Sequence, residues 1–249
     1  MKWALLVLAL PALMAAGDLE QAQQDYQKGR YSKAAATFQR LAEKGKAEAY
    51  FPLANLYARG LGVTRDDLAA RSWLERAAAE GDARAMHNLG LFALEGRCAP
   101  PDVAEARRWL HKAARANSQD AQYALGLLAE QGRGGPSDPR EAATWYFRAA
   151  VQGHARSQYN LASLYMEGLG VEQDYAEAAR WCLRAARSGL ARAQYDLGAL
   201  YAKGLGLELD LEAATRWMRS AASSQEPEVV AMAEAALDKL QAAPLAAAR

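Results

Sequence analysis

Three histidines, two cysteines, one adjacent pair of aspartates and a recurring Gly-Leu-Gly turn are the residues whose types could do chemistry here. A metal centre needs a second ligand type one helical turn from a histidine, and His87, His111 and His154 each lack one at i+3 or i+4. They read as packing or surface histidines. Cys98 sits beside Arg97 in a Pro-rich turn, but a single guanidinium is little activation for a thiolate, so it reads as an exposed loop thiol. Asp66 and Asp67 open a helix, where capping accounts for one carboxylate and solvent for the other. The "GLGV" turn at 60–63 follows a helix rather than a strand and lacks the lysine of a phosphate-cradling loop. No nucleophile comes with a base and an orienting group, so the sequence assigns no catalytic residue, no metal ligand and no cofactor.

The elements carrying these residues form a repeat, which explains most of them. At a period of 36 fall Gly60, Gly96, Gly132, Gly168 and Gly204, then Asp66, Asp102, Asp138, Asp174 and Asp210, then Trp73, Trp109, Trp145, Trp181 and Trp217. A Leu column (53, 89, 125, 161, 197) is followed each time by Ala or Gly. Each unit reads as two helices. The first, about 46–59 and its equivalents, has apolar residues at helical spacing and a Gly stop. The second, about 67–80, has Asp66 as N-cap, and Glu105, Glu141 and Glu177 complete a capping-box pattern in three copies. Small residues facing large ones let helices approach, with the Trp column filling the gap.

Composition narrows the class further. In 249 residues, 51% are apolar and much of that is Ala, which favours helix. The first 17 residues run from Lys2 through an apolar stretch, Trp3 to Met14, to the small residues Ala15, Ala16 and Gly17, the outline of a secretory signal peptide. No Cys follows to take a lipid, and no later apolar run approaches the roughly 20 residues of a membrane span. Without Lys2 the 30 basic residues become 29 against 29 acidic ones, leaving no net field for nucleic acid. Cys98 and Cys182 are 84 positions and more than two repeats apart, too far for a disulfide, and are expected as free thiols.

The stretch from Ala155 to Trp181, "ARSQYNLASLYMEGLGVEQDYAEAARW", resembles the consensus of the Sel-one-like repeat (SLR) family, relatives of the tetratricopeptide repeat. Five such copies cover 46–225. Residues 18–45 resemble the ordinary tetratricopeptide form, and 226–249 read as a capping helix and tail with Val230, Ala233, Leu237 and Leu240 on one face. The third and fourth repeats replace the usual turn with "GRCAPPD" and "GRGGPSD". The resemblance implies an all-α, right-handed superhelical solenoid of about six helix-turn-helix repeats. It also implies a non-enzymatic protein-binding role. With the leader, this suggests a periplasmic chain that neutralises or chaperones an exported partner such as a type VI secretion phospholipase effector. The alternative is an adaptor for envelope or exopolysaccharide assembly. A monomer is the favoured state.

In such solenoids the first helices line the concave surface. One column there is Phe51, His87, Tyr123, Tyr159 and Tyr195. The next is Pro52, Asn88, Ala124, Asn160 and Asp196, and one turn back lie Glu48, Arg84, Asp120, Arg156 and Arg192. All but Glu48, Pro52, Asp120 and Ala124 are the candidate partner contacts, because aromatic, amide and guanidinium groups are what protein recognition enriches. The same tyrosines belong to the family consensus and fit the bridging of adjacent repeats equally well.

Overall fold

The second helix of each 36-residue unit is set at its start by an aspartate cap. Asp66, Asp102, Asp138, Asp174 and Asp210 stand in extended backbone, and their carboxylates accept from amides two or three residues on at 2.8–3.0 Å. The other helix of each pair stops on a left-handed glycine, as at Gly204 with φ 64°. The expected capping boxes form only by half. The N-cap amides already donate across the turn to the carbonyls of Tyr57, Ala93, Ala129, Tyr165 and Tyr201 at 2.9–3.2 Å. The glutamates are free for other partners: Glu105 and Glu141 accept from the Trp109 and Trp145 indoles, and Glu177 pairs with Arg180.

The computed structural model describes residues 17–247, with side chains to 241. The proposed leader lies almost wholly outside the described residues. The chain divides into two units, Met1–Ser118 and Gln119–Arg249, and both are stacks of helix pairs without a strand among the described residues. In the first, α1 (17–27) pairs with α2 (Tyr31–Glu43), α3 (Tyr50–Arg59) with α4 (Asp67–Ala79), and α5 (Ala83–Glu95) with α6 (Val103–Arg115). A 3-10 turn, Ala47–Ala49, precedes α3 where the other copies are already α-helical. Pro52 explains it, since it has no amide to bond back to Glu48 and its ring crowds that carbonyl. In the second unit α7 (Gln119–Glu130) pairs with α8 (Pro139–Val151), α9 (Ala155–Glu167) with α10 (Tyr175–Arg187), and α11 (Ala191–Lys203) with α12 (Leu211–Ala222). The last helix is α13 (Pro227–Ala247).

Within a pair, size complementarity holds the helices together. An added Cβ at Gly90 would lie 2.7 Å from Leu110, at Gly126 2.4 Å from the Tyr146 ring and at Gly198 2.8 Å from Met218. The large partners Leu74, Leu110, Tyr146 and Met218 are buried, Tyr146 completely, as is Cys182 opposite the larger Ala162. This corrects the role expected of tryptophan. Only Trp181 is buried, at 7% exposure, and the other four of its column are half-buried. A cation three residues on covers each ring of the first four, Arg76, Lys112, Arg148 and Arg184 lying 4.1–4.7 Å from the ring centres. The residue after each Trp, one position further round the helix, is the filler.

Between pairs, backbone meets backbone. The second glycine of the turn at Gly206 has φ 68°, and a Cβ there would fall 2.0 Å from the Tyr175 carbonyl oxygen that begins α10. Cys98 takes that position in the atypical turn and donates its thiol to the equivalent carbonyl, Asp67 O, at 3.2 Å. Arg97 binds the Ala58 carbonyl at 2.8 Å, pairs with Asp67 and lies over Phe92. Cys98 is therefore a half-buried, bonded thiol rather than an exposed one, while Ala99, Pro100 and Pro101 of the same turn stay exposed. Gln158 and Gln194 tie successive pairs in the second unit, their amides closing the helix ends at Ala150 O and Ala186 O at 3.0 and 3.2 Å.

Pro227 falls 36 positions after Ala191, so α13 stands in the register of the first helices, and Leu240 replaces the stop glycine, letting the helix run on. Its buried residues are Val229 and Ala233, at the positions of Ala193 and Leu197. Val230, expected on that face, is half-buried along with Leu237 and Leu240.

Candidate functional site

In the first unit the proposed contacts come from α3 and α5. Asp82 caps α5 through the Arg84 and Ala85 amides at 2.9 and 3.3 Å, and holds the Arg84 guanidinium at 2.6 Å. Burial works against its charge, yet Arg84 keeps the Asp82 carboxyl below its ordinary range. So fixed, Arg84 lies 4.4 Å over the Phe51 ring. Its Nη1 carries no partner among the described residues. Asn88 donates to Asn55 at 3.2 Å, and His87 is half-buried. Beside them opens a cleft of about 250 Å³ lined by Phe51, Pro52, Asn55 and Arg84 together with Gln23, Tyr26, Gln27 and Phe38. Tyr26 is steadied by Arg59, which donates to its hydroxyl at 3.2 Å.

The α1 and α2 side chains of this cleft were not anticipated. They lie outside the 36-residue register, so no column pointed to them. Asn55 was legible as the residue one helical turn after Phe51.

In the second unit the equivalent column is largely engaged. Tyr123 lies 4.7 Å from the His154 ring and 6.0 Å from that of Tyr146. His154 is the N-cap of α9, its Nδ1 accepting from the Ser157 amide at 3.2 Å, and burial pushes its pKa down against the pull of Asp120 at 3.6 Å. Tyr159 donates to Asp196 at 2.9 Å and also bonds Arg192; burial first, then Asp196, push the phenol up to about 12. Burial likewise raises Asp196, against the Tyr159 bond and the Arg192 charge. Arg192 reaches the Met232 sulfur at 3.2 Å. Asn160 bonds the Tyr146 hydroxyl, which donates to Glu130 at 2.6 Å. Tyr195 packs against the cluster of Val229 and Ala233. Arg156 is exposed.

A second cleft, about 500 Å³, has Tyr195, Met218, Met232 and Leu240 in its walls and Lys203 and Lys239 at its rim.

No group of three His, Cys, Asp or Glu able to hold a metal occurs among the described residues. Cys98 and Cys182 are free thiols, and burial raises both, Cys182 to about 12, the opposite of nucleophile activation. No described helix is long and apolar enough to cross a membrane.

Stacked helix pairs presenting aromatic, amide and guanidinium groups define a repeat scaffold of the kind used for protein recognition. The chain belongs to the Sel1 repeat family, whose model matches residues 47–82, 83–118, 119–154, 155–190 and 191–225. No curated protein sequence matches it. Among solved structures it is similar to a protective antigen of uropathogenic Escherichia coli with an SLR fold, at 30% identity and a TM-score of 0.84 over 93% of this chain. The chain spans 50% of that protein's length. It is also similar to a Sel1 repeat protein from Oxalobacter formigenes, at 32% identity and a TM-score of 0.78, covering 85% of this chain and 86% of that one. An immunity protein from Pseudomonas aeruginosa shares the fold at 19% identity and a TM-score of 0.50, over 90% and 83% of the two chains.

Proposed function

We propose that the chain is a non-enzymatic periplasmic module that binds an exported protein through the first-helix face, and that it neutralises or chaperones that partner. An immunity protein against a type VI secretion phospholipase is the form that best suits it. The cleft at Phe51 and Arg84 carries the reading. It joins an aromatic wall, a pre-positioned guanidinium with an open Nη1, and the amides of Gln23, Gln27 and Asn55, a combination that anchors protein partners. The apolar leader stretch supports export.

Affinity capture from periplasmic extract, read by mass spectrometry, should return one exported protein. If that protein is a lipase, equimolar addition of this chain should abolish its activity. A partner whose activity is untouched assigns the chain to envelope scaffolding instead, and an intact Met1-Lys2 terminus in the cytoplasm defeats the export reading.

A further inference from the structure

The second helices of the second unit carry an unbalanced face. Outward positions of α8, α10 and α12, related by the 36-residue period, hold Arg148, Arg180, Arg184, Arg187, Arg216 and Arg219, all exposed, and not one Asp or Glu shares those columns. Arg180 leans on Glu177 at 2.5 Å, and Arg216 only loosely on Asp210 and Glu212 at 3.9 and 3.7 Å. Arg148, Arg184, Arg187 and Arg219 have no carboxylate partner among the described residues. Next to Arg148 stand two large apolar side chains a turn apart, Phe147 at 48% exposure and Val151 at 55%. Phe147 rests edge-on against Trp181.

We propose that this face docks on an anionic phospholipid surface. The chain as a whole is near neutral at +1, so total charge conceals the patch. Glu172, Asp174, Glu208 and Asp210, in the turns that lead into α10 and α12, are among the acids that offset it. Guanidinium forks match phosphate oxygens. The arginines are spread over three neighbouring helices, which suits a broad charged plane better than a single peptide strand. The clefts that would take a peptide lie elsewhere, at Phe51 and at Tyr195. Arg148 and Arg184 stack on Trp145 and Trp181 with Phe147 and Val151 beside them, so cationic heads and apolar bodies come together as they do at a headgroup boundary. This surface is separate from the proposed protein-binding face and does not depend on it.

Co-sedimentation of the full chain with vesicles tests it. Binding is expected to vesicles of 30% phosphatidylglycerol in phosphatidylcholine at about 0.15 M salt, and not to phosphatidylcholine alone. Arg184→Glu/Arg187→Glu should weaken binding at least about ten-fold, since each basic side chain near such a surface contributes several-fold. Arg133→Glu/Lys203→Glu, an equal charge change at two exposed positions outside these three helices, should leave it nearly unchanged. If the reversed variant loses its thermal transition, Arg184→Gln/Arg187→Gln replaces it. No sedimentation with the anionic vesicles overturns the proposal, and so does an equal loss in Arg133→Glu/Lys203→Glu, which would reduce it to net charge. Capture of soluble poly-glutamate as strongly as the vesicles would give the face to an acidic protein and equally overturn it.

Discussion

Phe51 and Tyr159 occupy the same position of the repeat, three periods apart, yet the two units use that position differently. Phe51 has no hydroxyl, and its companion Arg84 is held by Asp82 of its own helix start, so the pair lines an open cleft. Tyr159 bonds Asp196 of the following first helix, and Arg192 and Met232 extend that link. A column fixed by spacing thus leaves an open cleft where its polar groups are satisfied within one repeat, and ties repeats together where they reach into the next. The difference lies in a single oxygen atom and in which neighbour holds the arginine.

The largest expected effect concerns architecture alone. Tyr146→Ala empties the space facing Gly126 and should destabilise by about 3–5 kcal/mol, as large core truncations do. Adjoining repeats should share the loss. Trp145→Ala, half-exposed under Arg148, should lose roughly half as much. Thermal or urea unfolding ranks them, and the reverse order would mean that the Trp column is the true filler.

Arg84→Ala or Phe51→Ala should weaken binding of the captured partner by about 2 kcal/mol, roughly thirty-fold, with an unchanged unfolding midpoint. Tyr159→Ala should do the opposite, lowering the midpoint while the folded fraction binds normally. Titration calorimetry beside thermal unfolding separates the outcomes. If Tyr159→Ala loses affinity at an unchanged midpoint, the second unit also contributes to the interface.

The helix pairs were legible because their signals are local. Gly stops, Asp caps and one heavy Trp per 36 residues recur in fixed register, and each acts on its own turn of chain. What escaped depends on neighbours far away in sequence. The half-formed capping boxes could not be foreseen because the competing acceptors, such as Ala93 O for the Asp102 amide, belong to the preceding helix. Cys98 looked like a loose thiol until the Asp67 carbonyl of the previous repeat came against it. Of the candidate site, the identity of the columns was readable; whether Tyr159 faced a partner or Asp196 was not, since both are polar ends on one surface. The arginine face was hidden by a near-zero total.

The smallest and most discriminating prediction concerns Asp196. Burial raises its folded pKa above the unfolded value, so the folded state holds its proton more tightly. For an acid shifted in that direction the sign is unfavourable at neutral pH. No penalty exists below the unfolded value near 4, and stability is lost as pH rises from there through the folded pKa. Asp196→Asn keeps an oxygen to accept from Tyr159 while removing the desolvated charge. Its midpoint should equal the wild type at about pH 3.5 and exceed it slightly at pH 7, by a margin that widens upward between the two. Paired melts across that range would show it. A variant less stable at pH 7 than at pH 3.5, relative to wild type, would mean that the ionised carboxylate is a net support of the Tyr159 link and that Arg192 outweighs burial. The second unit's column would then be held by charge, and added salt should lower the wild-type midpoint more than that of Asp196→Asn.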